Sequence, residues 1–434
     1  MKISNDKKDS LFYRLYNFIF YSPTDLRISY LIIFVFAVIS LITLILTGPN
    51  IYPDSKDYLD YANGILQFNF VSPGAIRTPG YPLFIALAWF IIGKGYFQLI
   101  IAQIIFNAFS QLLLIKILFR VGLKNLVILS LLLYNLSPLS YVSLNILTDT
   151  LTIFLLLAIV FMLIEYNKNS NGQIIYYVSF LIILLIFTRP QFVFVFIVAG
   201  FFLVYKKKYK CGLFIITSIL LMVISWSLVN NKYNKYPGFT SLMGYNLIDH
   251  TGYFIEYARE SNPVFVDIYL KFRKERMANN NGRQYFTIYD CKNEIMEKLN
   301  YDEIKLSKEL LRISGYLISR YPDKYAATVF KALVFSLGYN NRYSTEEVVF
   351  KYLRMPSPLG LIFYLGGIMA MLLIKFSDNF LSNLLKIIFF SNLLVSVCLD
   401  VGENFRYMIP VLFIPFIFCA YFLSIRKHSL VKIT

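Results

Sequence analysis

Apolar residues fall in long, nearly uninterrupted runs along this chain, not at the one-face spacing that a soluble helix shows. Ten runs approach the roughly 20 residues that a helix needs to cross a hydrocarbon core of about 30 Å. They are residues 28–46, 96–119, 126–142, 147–164, 174–187, 192–205, 212–229, 359–374, 384–399 and 407–425. Unpaired backbone groups are costly in lipid, so such runs predict helices that close their hydrogen bonds internally. Two further runs, 81–92 and 326–337, are too short for comfortable spans and predict interfacial or re-entrant helices. The expected fold class is an all-α polytopic membrane protein with about ten transmembrane helices and interfacial or re-entrant helices in its external loops.

The polar intervals orient that bundle. With ten spans and a cytoplasmic N-terminus at 1–27, the inside loops collect Lys116, Arg120, Lys124 and Lys168, then Lys206, Lys207, Lys208 and Lys210, then Lys375 and Lys386. A cytoplasmic tail at 426–434 adds Arg426, Lys427 and Lys432, which is the positive-inside pattern. Counting the two short runs as spans would put the 206–210 cluster outside. Residues 1–27 carry Lys2, Lys7, Lys8, Arg14 and Arg27 without an early apolar stretch, so the first helix is expected to be retained. The chain then divides into a transmembrane core at 28–229, an external segment at 230–358 large enough for a small subdomain, and C-terminal spans at 359–425. Within the core, an external loop at 47–95 joins the first two spans. In the larger external segment, Leu306, Leu310, Ile313 and Leu317 are spaced for one apolar helical face.

Composition agrees. Of 434 residues, 57% are hydrophobic and only 15% charged, with a mean hydropathy of +0.59, more apolar surface than a soluble domain can hide. The net charge of +17 would suit a nucleic-acid partner, but the basic residues sit between apolar runs and match cytoplasmic loops facing an anionic leaflet. Membrane lipids are the expected surroundings, and nucleic acid is not an expected partner. Of four cysteines only Cys291 lies in the large external segment, and there are two histidines, so neither a disulfide framework nor a Cys- or His-rich metal site is expected.

The candidate chemistry gathers on the external side. Directly after the first span the chain reads Ile51-Tyr52-Pro53-Asp54-Ser55-Lys56-Asp57-Tyr58, and Tyr58, Tyr61, Ala62 and Ile65 then share one helical face. Arg77-Thr78-Pro79-Gly80-Tyr81 leads into the first short apolar run. Leu147-Thr148-Asp149 opens one span from outside, Thr188-Arg189-Pro190 ends another, Ser319-Arg320-Tyr321-Pro322 precedes the second short run, and Glu403-Asn404-Phe405-Arg406-Tyr407 begins the last span.

Asp54, Tyr58, Arg77, Pro79 and Tyr81 match, in order and spacing, the first external loop of the membrane-embedded GT-C glycosyltransferases. The chain resembles most the branch with the protein O-mannosyltransferases and the aminoarabinose transferase of lipid A. That branch often carries two acids where this chain has Asp54-Ser55, so a two-acid site is not supported. The resemblance implies a GT-C-like fold and a multi-pass protein of a bacterial cell (inner) membrane whose active site faces the outside or periplasm. It implies an enzyme that moves a hexosyl or pentosyl group from a polyprenyl-phosphate sugar to a lipid, glycan or protein acceptor, with inversion. In that role Asp54 is the general base, since attack by a hydroxyl must shed a proton. Arg77 is the first choice for the donor phosphate, with Arg406 and Arg189 behind it, because guanidinium groups favour the departing charge. Tyr58, Tyr81, Asp149 and Glu403 are the expected substrate-binding residues, with a pairing of Asp149 or Glu403 to a nearby arginine as the competing role. Asp57 or Asp149 would partner Asp54 if the site were a glycosidase-like pair. No cofactor is required, and a divalent metal is left open. Tyr245, Tyr253, Phe254 and Tyr257 are expected to form the core of the large loop in preference to stacking on sugars. A transporter or flippase, or a polymerase, of lipid-linked saccharides is the alternative; a transporter would predict mid-membrane charges and symmetry between halves.

Overall fold

The computed structural model describes residues 24–169, 171–279, 284–338, 357–374, 379–399, 401 and 404–430. Among them are 19 α-helices and an isolated bridge between Asn50 and Asn145, with no sheet. The first half holds α1 (Thr24–Thr47), α2 (Pro53–Leu66), α3 (Gly80–Ile92), α4 (Tyr96–Arg120), α5 (Val127–Asn135), α6 (Pro138–Tyr141), α7 (Asp149–Asn169), α8 (Gln173–Thr188), α9 (Phe192–Tyr205) and α10 (Tyr209–Asn234). The second holds α11 (Leu242–Thr251), α12 (Pro263–Asn279), α13 (Thr287–Leu299), α14 (Glu303–Arg320), α15 (Pro322–Leu337), α16 (Ser357–Leu373), α17 (Asn379–Leu399), α18 (Asn404–Met408) and α19 (Phe413–Leu430).

Five helices are long and apolar enough to cross a membrane, and two sharply bent pairs bring the number to as many as seven. The chain is thus a polytopic helical membrane protein. Every expected apolar run is helical, but not all are straight or long. At 16, 14 and 17 residues, α8, α9 and α16 are short apolar helices. Two expected spans are broken, and proline is the reason at each: it lacks an N–H and its ring clashes with the preceding turn. Residues 126–142 turn by 65° between Lys124–Asn135 and Pro138–Leu144, with Ser137 accepting the Leu139 N–H at the start of the second piece. Residues 407–425 turn by 61° after the 3-10 turn Ile409–Val411, which contains Pro410.

Irregular backbone inside such a bundle must find partners within the protein. Two buried amides on the predominantly apolar α4 supply them. Gln103 Nε2 donates to the carbonyls of Ser143 and Asn145 (2.9 and 2.8 Å), and Asn107 Nδ2 donates to the Ser140 carbonyl (3.1 Å). The break therefore ends in a held segment, and Asn145 and Ile146 become the platform against which the loop after α1 docks.

The spans, with α2 and α3, enclose one large apolar core. A second core lies under α11 to α14 and includes Ile248, Phe265, Ile288 and Cys291. The α14 face Leu306, Leu310, Ile313 and Leu317 is buried in it, as its spacing predicts. Tyr245 and Phe254 belong to this core and Tyr253 and Tyr325 pack on it, while Tyr257 stays exposed. The α15 helix joins the two parts: Ala332 packs with Val397 and Val401, and Tyr325 Oη donates to the Cys398 carbonyl (2.6 Å).

Polar groups separate toward the two ends of the bundle. Asp149 and Lys168 sit at opposite ends of α7, roughly 30 Å apart along its axis. Arg120 pairs with Glu165 (2.6 Å) and Lys208 lies over the Tyr166 ring, both near the Lys168 end.

At the other end, α3 meets the C-terminus of α8 through Gly80. A Cβ there would lie 2.5 Å from backbone atoms of Phe187 and Thr188. Gly80→Ala must push these helices apart and is expected to lower stability by roughly 1–3 kcal/mol, read as a drop in the thermal midpoint of the purified protein. A midpoint within error of wild type would show that the contact is looser than described.

Candidate functional site

The site begins with how Asp54 is held. Asn50 exchanges backbone bonds with the 144–146 segment: its N–H donates to the Leu144 carbonyl (3.1 Å) and its carbonyl accepts from Ile146 (3.0 Å). Its side chain also donates to Asn145 Oδ1 (2.9 Å). Three residues on, Pro53 starts α2, where the absent proline N–H costs nothing. Ser55 Oγ accepts the Tyr52 N–H (2.9 Å) and donates to the Ile146 carbonyl (2.8 Å). Tyr58, Tyr61, Ala62 and Ile65 are buried on one face of α2, as expected. Asp54, one turn before Tyr58 on the same helical face, is thereby fixed in the first turn, half-buried where that face opens on the cavity.

Arginine surrounds it. Arg77 Nη2 donates to Asp54 Oδ1 (2.8 Å) and to Asp57 Oδ2 (3.0 Å), and Nε donates to the same Asp57 oxygen (3.1 Å). Its Nη1 reaches Tyr58 Oη (3.4 Å), and its guanidinium lies 4.8 Å from the centre of that ring. Arg406, from the far end of the sequence, reaches Asp54 Oδ2 at 3.4 Å. Burial pushes the Asp54 carboxyl up, but the charges of Arg77 and Arg406 and their hydrogen bonds outweigh it and hold the group below the ordinary carboxylate range. Asp57, which sequence reasoning named only as a partner in a carboxylate pair, is instead the main anchor of Arg77.

Arg189 stands on the same cavity. Its Nη2 pairs with Asp149 Oδ1 (2.8 Å), its Nε donates to Thr148 Oγ1 (3.0 Å), and its guanidinium lies 5.8 Å from the Tyr407 ring centre. Both members of the Arg189–Asp149 pair are buried, and among the described residues Arg189 Nη1 meets no hydrogen-bond acceptor. An unmet donor of this kind costs about 1–3 kcal/mol, so an acceptor arriving there is favoured.

These groups line a cavity of about 880 Å³. Asp54, Tyr58, Arg77, Arg189 and Arg406 form its polar floor. Val193, Phe194, Val223, Val395 and Leu399, from the apolar helices α9, α10 and α17, form a greasy flank. Residues of α11 to α14, with Phe286 beside them, form the outer wall. Among the described residues the lining carries five basic side chains (Arg77, Arg189, Arg276, Lys308, Arg406) and two acidic ones (Asp54, Asp290). Such a chamber suits an amphiphilic anion whose charge meets the arginines and whose tail follows the apolar flank.

Not every expected residue reaches the cavity. Tyr81 is fully buried, donates to Gln103 Oε1 (2.8 Å) and packs edge-on against Tyr58 (5.1 Å), so it supports the floor from beneath. Asp149 lies behind Arg189 and does not line the cavity. Glu403 is outside the described residues. Sequence reasoning missed Phe286 and Tyr289 on the outer wall and Gln103 beneath the floor. Gln103 was detectable as one of four amides (Gln98, Gln103, Asn107, Gln111) in a predominantly apolar run. Among the described residues no three His, Cys, Asp or Glu side chains gather to hold a metal ion, and two arginines against Asp54 make a poor setting for a divalent cation. Compared with known proteins, the chain matches no family model and no curated protein.

Proposed function

We propose that the chain is a glycosyltransferase that moves a sugar from a polyprenyl-phosphate donor to an acceptor hydroxyl, with Asp54 as general base. The observation that carries this reading is the Asp54 carboxylate set among Arg77, Arg406 and Arg189 on a cavity with one wall built from apolar helices. The acceptor oxygen bonds to the anomeric carbon as the carbon–oxygen bond to phosphate breaks. The electron pair leaves on polyprenyl phosphate, and the acceptor proton passes to Asp54. A single displacement of this kind inverts the anomeric centre.

The bonding pattern favours a division among the arginines different from the order that the resemblance implies. Arg77 is committed to two carboxylates and a tyrosine, which suits holding Asp54 in place. Arg406 stands at the other Asp54 oxygen at a longer distance (3.4 Å), and among the described residues no acceptor meets Arg189 Nη1, so the phosphate is assigned to these two on the same cavity. Between two cations Asp54 is a weak base. A phosphate that engages Arg406 withdraws one cation and adds a like charge, and both raise the affinity of Asp54 for a proton. Donor binding thus switches the base on. In this reading the short helices α8, α9 and α16 and both bent pairs also pass through the membrane, giving ten crossings, with the lysine-rich end in the cytoplasm and the cavity at the outer face, in keeping with the positive-inside rule.

The test uses purified protein in lipid nanodiscs with polyprenyl-phosphate sugars and a panel of acceptors, following release of polyprenyl phosphate. Arg406→Ala is expected to lower kcat by roughly 10²–10³-fold. It is also expected to move the acid limb of kcat/KM to higher pH, because it removes a charge that holds the Asp54 carboxyl down. No release by wild type with any donor, or an Arg406→Ala protein of normal rate, overturns the reading.

A further inference from the structure

We propose that the outer wall of the cavity is an acceptor subsite that takes the neutral ring of a glycan. This rests on the transferase reading and names the acceptor class that reading leaves open. Five side chains of that wall form the subsite: Asn246 on α11, Arg276 on α12, Phe286 just before α13, and Tyr289 and Asp290 in its first turn; Lys308 of α14 also lines the wall, its Nζ donating to the Lys235 carbonyl (2.8 Å).

The backbone at Phe286 is the first sign. Its φ is 66°, in the left-handed region that glycine favours and a phenylalanine rarely adopts. The conformation is held by the buried Asp249, whose Oδ1 accepts the Phe286 N–H (2.8 Å). Strain of this sort gathers where a side chain must be presented to something, and here it sets the Phe286 ring on the cavity. Tyr289 stands beside it (5.9 Å between ring centres) and is exposed, backed by the Tyr245 ring of the subdomain core (5.6 Å). The pair makes a rigid aromatic ledge, anchored from behind.

The polar groups beside the ledge choose the ligand. Arg276 is already neutralised: it pairs with Asp290, and its Nε donates to the Tyr285 carbonyl (2.6 Å). A site for an anion would leave that guanidinium without a carboxylate. A neutralised Arg–Asp pair with an amide nearby instead offers fixed donors and acceptors together. A pyranose or furanose ring matches both features. One face of the ring is C–H and lies on an aromatic plane, and its rim is hydroxyl. The floor holds the reacting carboxylate and the arginines, so a glycan seated on the ledge would direct its terminal hydroxyl toward Asp54 across the same cavity.

The experiment is saturation-transfer NMR on the full chain in nanodiscs with neutral disaccharides (maltose, cellobiose and chitobiose), with inorganic phosphate as competitor and farnesyl phosphate as a separate probe. At least one disaccharide is expected to receive saturation at its ring C–H protons, without competition from phosphate. Phe286→Gly removes the ring where glycine is at ease, so the thermal midpoint is expected to hold or rise, while disaccharide affinity falls roughly three- to tenfold. Tyr289→Leu is expected to do the same without touching the left-handed residue. Farnesyl phosphate binding should be unchanged in both. Three results would each overturn the subsite: no disaccharide binding by wild type, unaltered binding by both variants, or displacement by phosphate. Loss of farnesyl phosphate binding by wild type, with disaccharide binding intact, would instead remove the donor reading and leave the subsite standing.

Discussion

Asp54→Asn is expected to leave a protein that folds, enters the membrane and binds a prenyl phosphate, yet turns over roughly 10²–10⁴-fold more slowly. The amide keeps the size of the carboxylate and still meets the Ser55-anchored helix turn, but it cannot take the acceptor proton. Turnover assays and prenyl phosphate binding on the same preparation check it, and near-normal turnover would end the general-base assignment. The pH sign follows from geometry. Arg77 and Arg406 hold the free-enzyme carboxyl below its ordinary range, so kcat/KM should stay flat down through that range and fall only at more acid pH. The same shift makes Asp54 a stabilising group above its unfolded pKa, a contribution lost as pH falls through the lowered value. Asp57→Asn should behave differently. It strips Arg77 of its two-point anchor and leaves Asp54 in place, so a smaller loss of rate is expected, with a changed acid limb.

The largest expected effect on stability lies at Asp149. The Arg189–Asp149 pair is almost wholly buried, and removing one partner strands the other charge. Asp149→Leu should therefore cost roughly 3–5 kcal/mol, seen as a steep fall in thermal midpoint. Replacing both partners, as Asp149→Leu with Arg189→Met, should restore much of that stability, since neither charge is then left alone. The double variant should still be inactive if Arg189 holds the donor phosphate. A stable and active double variant would confine Arg189 to a structural role, and a double variant no more stable than the single would show that the pair is not the energetic unit described.

Much of this was legible in the sequence because it is carried by local pattern. Helix positions follow from apolar run length, and the buried faces of α2 and α14 follow from helical spacing at Tyr58, Tyr61, Ala62 and Ile65 and at Leu306, Leu310, Ile313 and Leu317. That Asp54, Arg77, Arg189 and Arg406 would serve one site was what the family resemblance implied; local pattern alone placed them only at the ends of helices. The broken spans were less legible, since average hydropathy does not register one proline, although Pro138 and Pro410 lie at the two breaks. The partner choices could not be read at all. Nothing along the chain says that Arg77 will prefer Asp57, twenty residues back, or that Tyr81 will turn away from the cavity to meet Gln103. Phe286 was hidden for a different reason: a left-handed phenylalanine has no composition signal, because its conformation is imposed by Asp249 from a neighbouring helix.

The Arg406–Asp54 contact joins residues 352 positions apart, and that interval is also a delay during synthesis. At ribosomal rates of about 5–20 residues per second, the two are made on the order of 20–70 s apart. For that time the newly made carboxylate has Arg77 but lacks its second counter-charge, and the apolar flank contributed by α17 does not yet exist. Until those helices are made, the site of the proposed reaction lacks Arg406 and the α17 part of its lining. Only the arrival of the C-terminal helices completes the chamber, so under the proposed function activity would begin at the close of the molecule's own assembly.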